Sequence, residues 1–364
     1  MCDYSCCEVC NQMLKSELLC LGVTLSSEAK KRFYSKNPFG ENKSIHAASF
    51  ILNNKTSINL QFSEKYNLKS PYIIDTYNDS FILKKNSKII SNIDIVSAPN
   101  WYSQKTKSGQ YMHDVLNVHG RKTLAFSNYK NCCYIQNGKK CKFCSVVPSN
   151  YLKKINEDIR INDIMDTLEV AFHYNCNYDI ALSEGTVDAD DRGAVFFSKI
   201  SKKIIQCFGN KHISAEIAPP NGNKYIDLMI DSGIDSIIMN LEFFDDKIRQ
   251  LLCPGKFEIS KKQYINSLSY AVSKMGFGNV SSVLIAGIEP LQSTIEGAKL
   301  LLSKGVLPII IPFKPYDLCQ MANYEITQPE VLLTIKQEID NEMKKNNLIP
   351  QKSHSCIACG SCNL

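Results

Sequence analysis

From residue 123 onward, apolar segments of strand length alternate with amphipathic segments of helix length, and this alternation restricts the possible folds most. Strands that are apolar on both faces and are separated by helices predict a parallel sheet covered on both sides. Right-handed crossovers between six such strands predict an α/β fold, a partial (β/α)6 barrel of the TIM type. The six segments are TLAFSNY (123–129), YDIALSE (178–184), HISAEIA (212–218), SIIMNLE (236–242), VSSVLIAG (280–287) and LPIIIPF (307–313).

The segments before the barrel have a different pattern. Short β-like runs (INLQF, YIIDTY, SFILK and KIISNIDIV) alternate with turns that are rich in Asn, Ser and Lys, as in a β-meander. We therefore expect three parts: an N-terminal cysteine segment with a small β-rich region (1–115), the partial barrel (116–320), and a C-terminal helix with a cysteine-containing tail (321–364).

The chain has 16 cysteines among 364 residues. Its N-terminus, MCDYSCCEVC, lacks the basic and apolar regions of a secretory signal, and no apolar run has the length of a membrane span. We therefore expect a cytoplasmic, reducing location without a membrane partner, where cysteines serve metal binding or catalysis. The net charge of +6 comes from scattered lysines, so no nucleic-acid partner is expected.

Polar residues stand at or just beyond the ends of several predicted barrel strands. In α/β barrels, the carboxyl ends of the strands carry the active site. A single acid there is often a helix cap or a turn residue, but acids at successive strands opposite a cysteine group indicate a site. The candidates are Glu184, Glu216, Asn240, Glu242 and Glu289.

Four cysteines lie in NCCYIQNGKKCKFCS (131–145), after the first predicted barrel strand. Structural zinc usually takes two C-x-x-C pairs, whereas this segment has one, Cys141 and Cys144. Adjacent cysteines rarely both bind one ion, so Cys132 and Cys133 supply one ligand between them. We expect Cys133, because Cys132 would strain the exit of the loop from the strand. Three thiolates on a [4Fe–4S] cluster leave one iron open to a small ligand.

Three cysteines after the first strand of a partial barrel, ending in C-x-Φ-C with an aromatic Φ, resemble the radical S-adenosylmethionine (SAM) superfamily. In that superfamily, the open iron chelates SAM, and electron transfer cleaves SAM to a 5′-deoxyadenosyl radical. The commonest spacing there is C-x3-C-x2-C, whereas this chain has C-x7-C-x2-C from Cys133 or C-x8-C-x2-C from Cys132. The resemblance implies a SAM-binding [4Fe–4S] cluster on Cys133, Cys141 and Cys144, and an electron donor such as ferredoxin or flavodoxin.

The resemblance also implies which strand ends contact SAM. LSEGT (182–186) stands where the superfamily's Gly-Gly-Glu strand meets the methionyl amino group. SAEIAPP (214–220) and MNLEFFD (239–245) stand where contacts to the ribose and the carboxylate arise, and VLIAGIEP (283–290) is similar to the strand that lines the adenine. The implied contacts are Ser183, Glu184, Glu216, Asn240, Glu242 and Ile288.

The C-terminal tail contains CIACGSC, in which Cys356, Cys359 and Cys362 have C-x2-C-x2-C spacing. This spacing matches three ligands of a bacterial ferredoxin cluster. We expect a second, auxiliary [4Fe–4S] cluster here, whose fourth ligand is an N-terminal cysteine, a sulfide or none. A zinc site and a tail with chance cysteines are the alternatives.

The segments NLEFFDDKIRQLLCPGK and IAGIEPLQSTIEG resemble the biotin-synthase and lipoyl-synthase-like branch most. That resemblance implies sulfur insertion at an unactivated carbon of a small-molecule, acyl-linked or peptide-linked substrate. One alternative is a radical SAM enzyme with another outcome, such as rearrangement or peptide modification, and an electron-carrying second cluster. Another is a non-catalytic iron–sulfur or zinc protein. Arg192 and Lys314 are candidates for holding an anionic substrate, and Cys253 in the CPGK turn has no assigned role.

Overall fold

The computed structural model describes residues 8–41, 47–53, 55–126, 132–146, 156–349 and 359–364. The β-rich region forms a six-stranded sheet in the order β1-β4-β5-β6-β2-β3. All neighbouring strands in it are antiparallel except β1 and β4. The strands are β1 (Thr24–Leu25), β2 (Ala48–Leu52), β3 (Ser57–Leu60), β4 (Tyr72–Tyr77), β5 (Ser80–Lys85) and β6 (Lys88–Ile95).

Two helices that the sequence pattern did not predict pack against this sheet, α1 (Glu8–Leu21) and α2 (Ser27–Lys36). Ser26 caps α2, because its hydroxyl accepts a hydrogen bond from Ala29 N at 3.2 Å. Two 3₁₀ helices, Lys65–Lys69 and Asn100–Ser103, lie in the connections.

The second sheet has seven strands in the order β13-β12-β11-β10-β9-β8-β7. Its first strand, β7 (Leu116–His119), is antiparallel to β8. The other six are parallel and follow one another in chain order, which confirms the predicted α/β partial barrel. They are β8 (Thr123–Phe126), β9 (Asp179–Ser183), β10 (Ile213–Glu216), β11 (Ser236–Ile238), β12 (Val280–Ala286) and β13 (Leu307–Pro312).

Helices connect the parallel strands and cover the outside of the barrel. The helices after α2 are α3 (Met112–Val115), α4 (Cys133–Gln136), α5 (Glu157–Tyr174), α6 (Ala194–Phe208), α7 (Lys224–Asp231), α8 (Asp246–Leu252), α9 (Pro254–Phe257), α10 (Lys261–Met275), α11 (Leu291–Ser303) and α12 (Pro329–Lys345). Side-chain caps begin several of them, as Asn156 does for α5 and Ser260 for α10. Of the helices described, none has both the length and the apolar character that a membrane crossing requires.

Alternation along the strands separates the barrel interior from the helix-facing surface. Phe126 of β8 contacts Phe197 of α6, with 6.3 Å between ring centroids, so the neighbouring Ala125 faces the interior. By the strand register, Ser183 of β9 and Glu216 of β10 also face the interior. Ser236 of β11 and Ser281 of β12 lie on the same face, where Ile238 packs with Ile309. The interior therefore carries both polar and apolar side chains.

The barrel does not close on itself, because β7 and β13 are both edge strands. One apolar core nevertheless runs through both sheets, and α1 packs against α12. The last residues of the chain lie on β3, where Asn59 N donates to Ser361 O at 2.8 Å. The predicted boundaries of the three parts stay a prediction.

Candidate functional site

The central cysteines lie in the loop between β8 and α5. Cys132 precedes α4 with φ −70° and ψ 129°, an ordinary extended conformation. Residues 127–131, through which the loop leaves β8, lie outside the described residues, so the strain predicted there is not tested. Cys133 begins α4 and is 5% exposed. Cys141 and Cys144 form a turn in which Cys144 N donates to Cys141 O at 3.1 Å.

Backbone hydrogen bonds attach this cysteine loop to two segments that follow later barrel strands. Lys142 N donates to Leu252 O at 2.8 Å, and Gln320 N donates to Lys142 O at 2.9 Å. Cys141 also packs in one apolar cluster with Cys253. The Cys253 thiol donates a hydrogen bond to the Cys141 sulfur, which lowers the pKa of Cys141 below its ordinary value. A thiol that ionises readily is suited to binding a metal.

The two adjacent cysteines have different surroundings. Burial is the main cause of the raised pKa of Cys144, and the nearby Cys132 raises it further. Cys133 instead has Asp188 and Arg192 as charged neighbours, and burial raises its pKa to about 11. The prediction that Cys133 is a ligand is not tested by these contacts, but they separate the two candidates.

The cysteine arrangement also bears on zinc. Within the described ranges, no three His, Cys, Asp or Glu side chains are grouped so that they could hold one metal ion. A zinc ion needs such a group, because every ligand contacts the same ion at about 2.0–2.3 Å. A [4Fe–4S] cluster differs from zinc in this respect, because its thiolates bind different irons.

Three of the predicted SAM contacts form one hydrogen-bonded network at the ends of β9 to β11. Ser183 Oγ donates to Glu216 Oε2 at 3.0 Å, and Asn240 Nδ2 donates to Glu216 Oε1 at 2.6 Å. Asn240 Oδ1 accepts from Val283 N at 3.1 Å, which anchors the network to β12. A carboxylate has about four lone-pair sites, so Glu216 retains acceptor capacity for a ligand.

Glu242 lies beyond β11 and has φ +69°, in the left-handed region. Its backbone is held there because Glu242 N donates to Val283 O at 3.0 Å and Ile285 N donates to Glu242 O at 2.8 Å. The carboxylate forms a buried ion pair with Lys256 Nζ. Burial raises the pKa of Glu242, and the Lys256 charge opposes that rise.

Glu184 forms a second buried ion pair, with Arg160 of α5. Arg160 Nη1 lies 2.8 Å from Glu184 Oε2 and 3.0 Å from Oε1. Both residues line a cavity of about 450 Å³. Ile288 packs against the apolar cluster that contains Cys141. Glu289 has a structural role, because it accepts hydrogen bonds from two backbone N–H groups that precede α8, at 2.7 and 2.8 Å.

Several residues of this region were not predicted from sequence. Arg160, Cys253 and Lys256 each contact a predicted site residue, and CPGK read only as a turn. Arg192, a candidate for anion binding, lies 3.8 Å from Asp188 Oδ1. Lys314 is buried and donates to Gln61 Oε1 at 2.7 Å. In the tail, Cys356 lies outside the described residues, while Cys359 and Cys362 lie beside α1 and β3, not beside the central cysteines.

Comparison with known proteins gives two kinds of finding. No family model matches the chain. A bacteriochlorophyllide c C-7(1)-hydroxylase from Chlorobaculum limnaeum is 22% identical over 248 residues, which are 59% of this chain and 58% of that protein. The match therefore spans less than two thirds of the hydroxylase. A radical SAM methyltransferase from Sphaerobacter thermophilus aligns over 80% of both chains with a TM-score of 0.45 and 12% identity.

The chain is therefore similar in sequence to a bacteriochlorophyllide hydroxylase and, at a low score, in structure to a radical SAM methyltransferase. The Amycolatopsis orientalis BexX/CysO complex also aligns, over 55% of this chain and 68% of that chain, with a TM-score of 0.30 and 7% identity. Because both TM-scores are below 0.5, no functional conclusion is based on these two structures. The hydroxylase is named for an outcome other than sulfur insertion, and the predicted biotin-synthase and lipoyl-synthase-like branch is not supported.

Proposed function

We propose that the chain is a radical SAM enzyme that abstracts hydrogen from an organic substrate, with an outcome other than sulfur insertion. The observation that carries this proposal is the position of the cysteine loop. Cys141 has Lys256 and Glu242 as charged neighbours, and Cys132 lies so close to Gly185 that a Cβ there would be 2.7 Å from Cys132 Cβ. The thiols therefore adjoin two of the strand ends that carry the candidate SAM contacts.

We assign Cys132, Cys141 and Cys144 as the cluster ligands. Cys133 stays the prediction from sequence, and we propose Cys132 in its place because its backbone is extended and its thiol lies near Cys144. The Cys133 thiol is more deeply buried and adjoins Asp188 and Arg192. When bound, a [4Fe–4S] cluster with SAM supplies one-electron cleavage to a 5′-deoxyadenosyl radical.

The residues of this chain bind and orient the ligand, and they exclude water from the site. Glu216, oriented by Ser183 and Asn240, accepts hydrogen bonds from ligand hydroxyls. Lys256 places a positive charge near Cys141 and favours its thiolate. The apolar side chains of Ile238 and Ile309 keep water from a reactive intermediate on their side of the interior.

The outcome and the partners follow from weaker observations. The hydroxylase relative is named for a reaction at a C–H bond. This favours a radical enzyme that begins by abstracting hydrogen, and rearrangement and peptide modification are outcomes of that kind. An electron donor such as ferredoxin or flavodoxin and a small-molecule, acyl-linked or peptide-linked substrate complete the proposal. A second [4Fe–4S] cluster in the tail would carry electrons. Sulfur donation from it is the second candidate, since Cys362 lies near Lys314, just beyond β13.

The test is anaerobic reconstitution with iron and sulfide, followed by dithionite, SAM and detection of 5′-deoxyadenosine. We expect Cys141→Ala and Cys144→Ala to abolish its formation, and Cys132→Ala to abolish it while Cys133→Ala retains it. Cys207→Ala is the matched control, because Cys207 is exposed on α6. Deoxyadenosine formation by the Cys141 or Cys144 variant would show that the assignment is wrong. A product that gains the mass of sulfur would favour the second candidate.

A further inference from the structure

Residues 252–256, LCPGK, contain the CPGK motif and are called the CPGK segment below. They join the end of α8 to α9 and lie against the cysteine loop. Two backbone hydrogen bonds run between the segment and the loop in opposite directions. Lys142 N donates to Leu252 O at 2.8 Å, and Gly255 N donates to Lys139 O at 3.2 Å. The segment therefore holds the loop on both sides of the first cysteine of the C-x-x-C pair.

Gly255 packs directly on the side chain of Tyr134, which belongs to the short helix α4. A Cβ on Gly255 would lie 2.8 Å from Tyr134 Cβ and closer still to the aromatic ring. The φ angle of Gly255 is not in the left-handed region, so the backbone conformation does not require glycine here. The contact requires it, because any larger residue would overlap the ring.

The Tyr134 side chain serves packing rather than hydrogen bonding. Its Oη is buried and has no hydrogen-bond partner in the part of the chain that the structure describes. A buried hydroxyl without a partner is costly, so the shape of the ring, and not its polar atom, accounts for its position. Phenylalanine at this position should therefore preserve the contact with Gly255, whereas an aliphatic side chain should not.

The CPGK segment is itself held in place and reaches a second part of the candidate site. The fully buried Arg249 of α8 donates from Nη2 to Lys256 O at 2.9 Å and to Ile259 O at 2.8 Å. The Lys256 side chain forms the buried ion pair with Glu242, beyond β11. One short segment therefore connects the cysteine loop with a candidate SAM contact.

We propose that the CPGK segment orders the cysteine loop before a cluster binds, with Gly255 and Tyr134 as positioning residues. The inference deepens the proposed function and rests on it for the role of the loop, but every contact that carries it is between atoms of this chain. A loop that is already ordered loses less conformational entropy when its thiols bind a cluster. The segment should therefore slow the loss of iron from the loop.

The experiment is hydrogen exchange with mass spectrometry on the iron-free, full-length chain. Peptides that contain Lys142 or Gly255 should be protected in the unsubstituted chain. Gly255→Ala should make them exchange about tenfold faster, which corresponds to local opening that costs about 1.4 kcal/mol less. Tyr134→Leu should have the same effect, and Tyr134→Phe should keep the protection. If Gly255→Ala does not fold, the two Tyr134 variants decide.

Leu301→Ala is the control for a general loss of stability, because Leu301 is fully buried in α11 and belongs to the main core. It should leave exchange in the loop peptides unchanged. After reconstitution, Gly255→Ala and Tyr134→Leu should lose iron to a chelator faster than Leu301→Ala and Tyr134→Phe. Three results would overturn the proposal: unprotected loop peptides in the unsubstituted chain, unchanged exchange in Tyr134→Leu, or equally fast loop exchange in Leu301→Ala. Deoxyadenosine formation is scored separately, so failure of the proposed function is distinguishable.

Discussion

Replacing Lys256 with methionine removes the positive charge that faces the buried Glu242 carboxylate. The two side chains are 19% and 8% exposed, so water replaces little of the lost interaction. Removing one partner of a buried ion pair costs about 3–5 kcal/mol, because the other charge stays buried. Methionine keeps most of the apolar stem, so we expect Lys256→Met to lower the free energy of unfolding by about 3 kcal/mol at pH 8. Burial raises the pKa of Glu242, so the loss should shrink as the pH falls and the carboxyl protonates.

The assay is urea denaturation of the iron-free chain in a double-mutant cycle. Glu242→Gln alone leaves the Lys256 ammonium group buried and should also destabilise. The double variant Glu242→Gln/Lys256→Met leaves neither charge, so its loss should be clearly smaller than the sum of the two single losses. Two outcomes would refute the reasoning: a loss below about 1 kcal/mol for Lys256→Met, or losses that simply add.

Two other substitutions test the surroundings of the site. Gly185→Ala would place a Cβ 2.9 Å from Cys132 N, so it should displace the cysteine loop. The iron bound per chain after reconstitution should fall, while the far-UV circular dichroism spectrum stays unchanged. A normal iron content would contradict the contact. His119 has a buried Nε2, and burial lowers its pKa to about 4, against about 6.5 in the unfolded chain. The unfolded state therefore binds the proton more readily, and stability should fall as the pH drops from about 6.5 to 4. His119→Gln should reduce that fall in melting temperature, and an unchanged fall would exclude His119 as its cause.

The barrel strands were predictable because each is a short, mainly apolar run buried on both faces. Their ends were less predictable, as β11 illustrates. SIIMNLE suggests a strand over 236–242, but regular pairing ends at Ile238. Beyond it, the Asn240 side chain takes the hydrogen bond of Val283 N, and Glu242 turns into the left-handed region. The polar residues that interrupt the strand are the same ones that build the candidate site.

The partners of the site residues were not predictable. The acids were found because each stands at or just after the end of an apolar segment of strand length. Lys256 reaches Glu242 from α9, and Cys253 reaches Cys141 from the junction between α8 and α9. No periodicity links these pairs, because they depend on how the α8–α9 region packs against the cysteine loop. Likewise, choosing between Cys132 and Cys133 depends on the direction in which α4 leaves the loop.

The position of the tail can be tested through Gly120, which has φ +61° and faces Cys359. Alanine at Gly120 would incur both a backbone cost of about 1–2 kcal/mol and a Cβ contact of 2.4 Å with Cys359 Sγ. Gly109→Ala is a control, because Gly109 has φ +89° and no atom lies within 4 Å of the position that a Cβ would take there. Gly120→Ala should therefore destabilise more and should make the C-terminus more sensitive to carboxypeptidase. If both variants lose equal stability and keep the tail equally protected, Cys359 is not seated against the turn after β7. The open edge of the barrel would then need another cover, because β7 and β13 do not pair with each other.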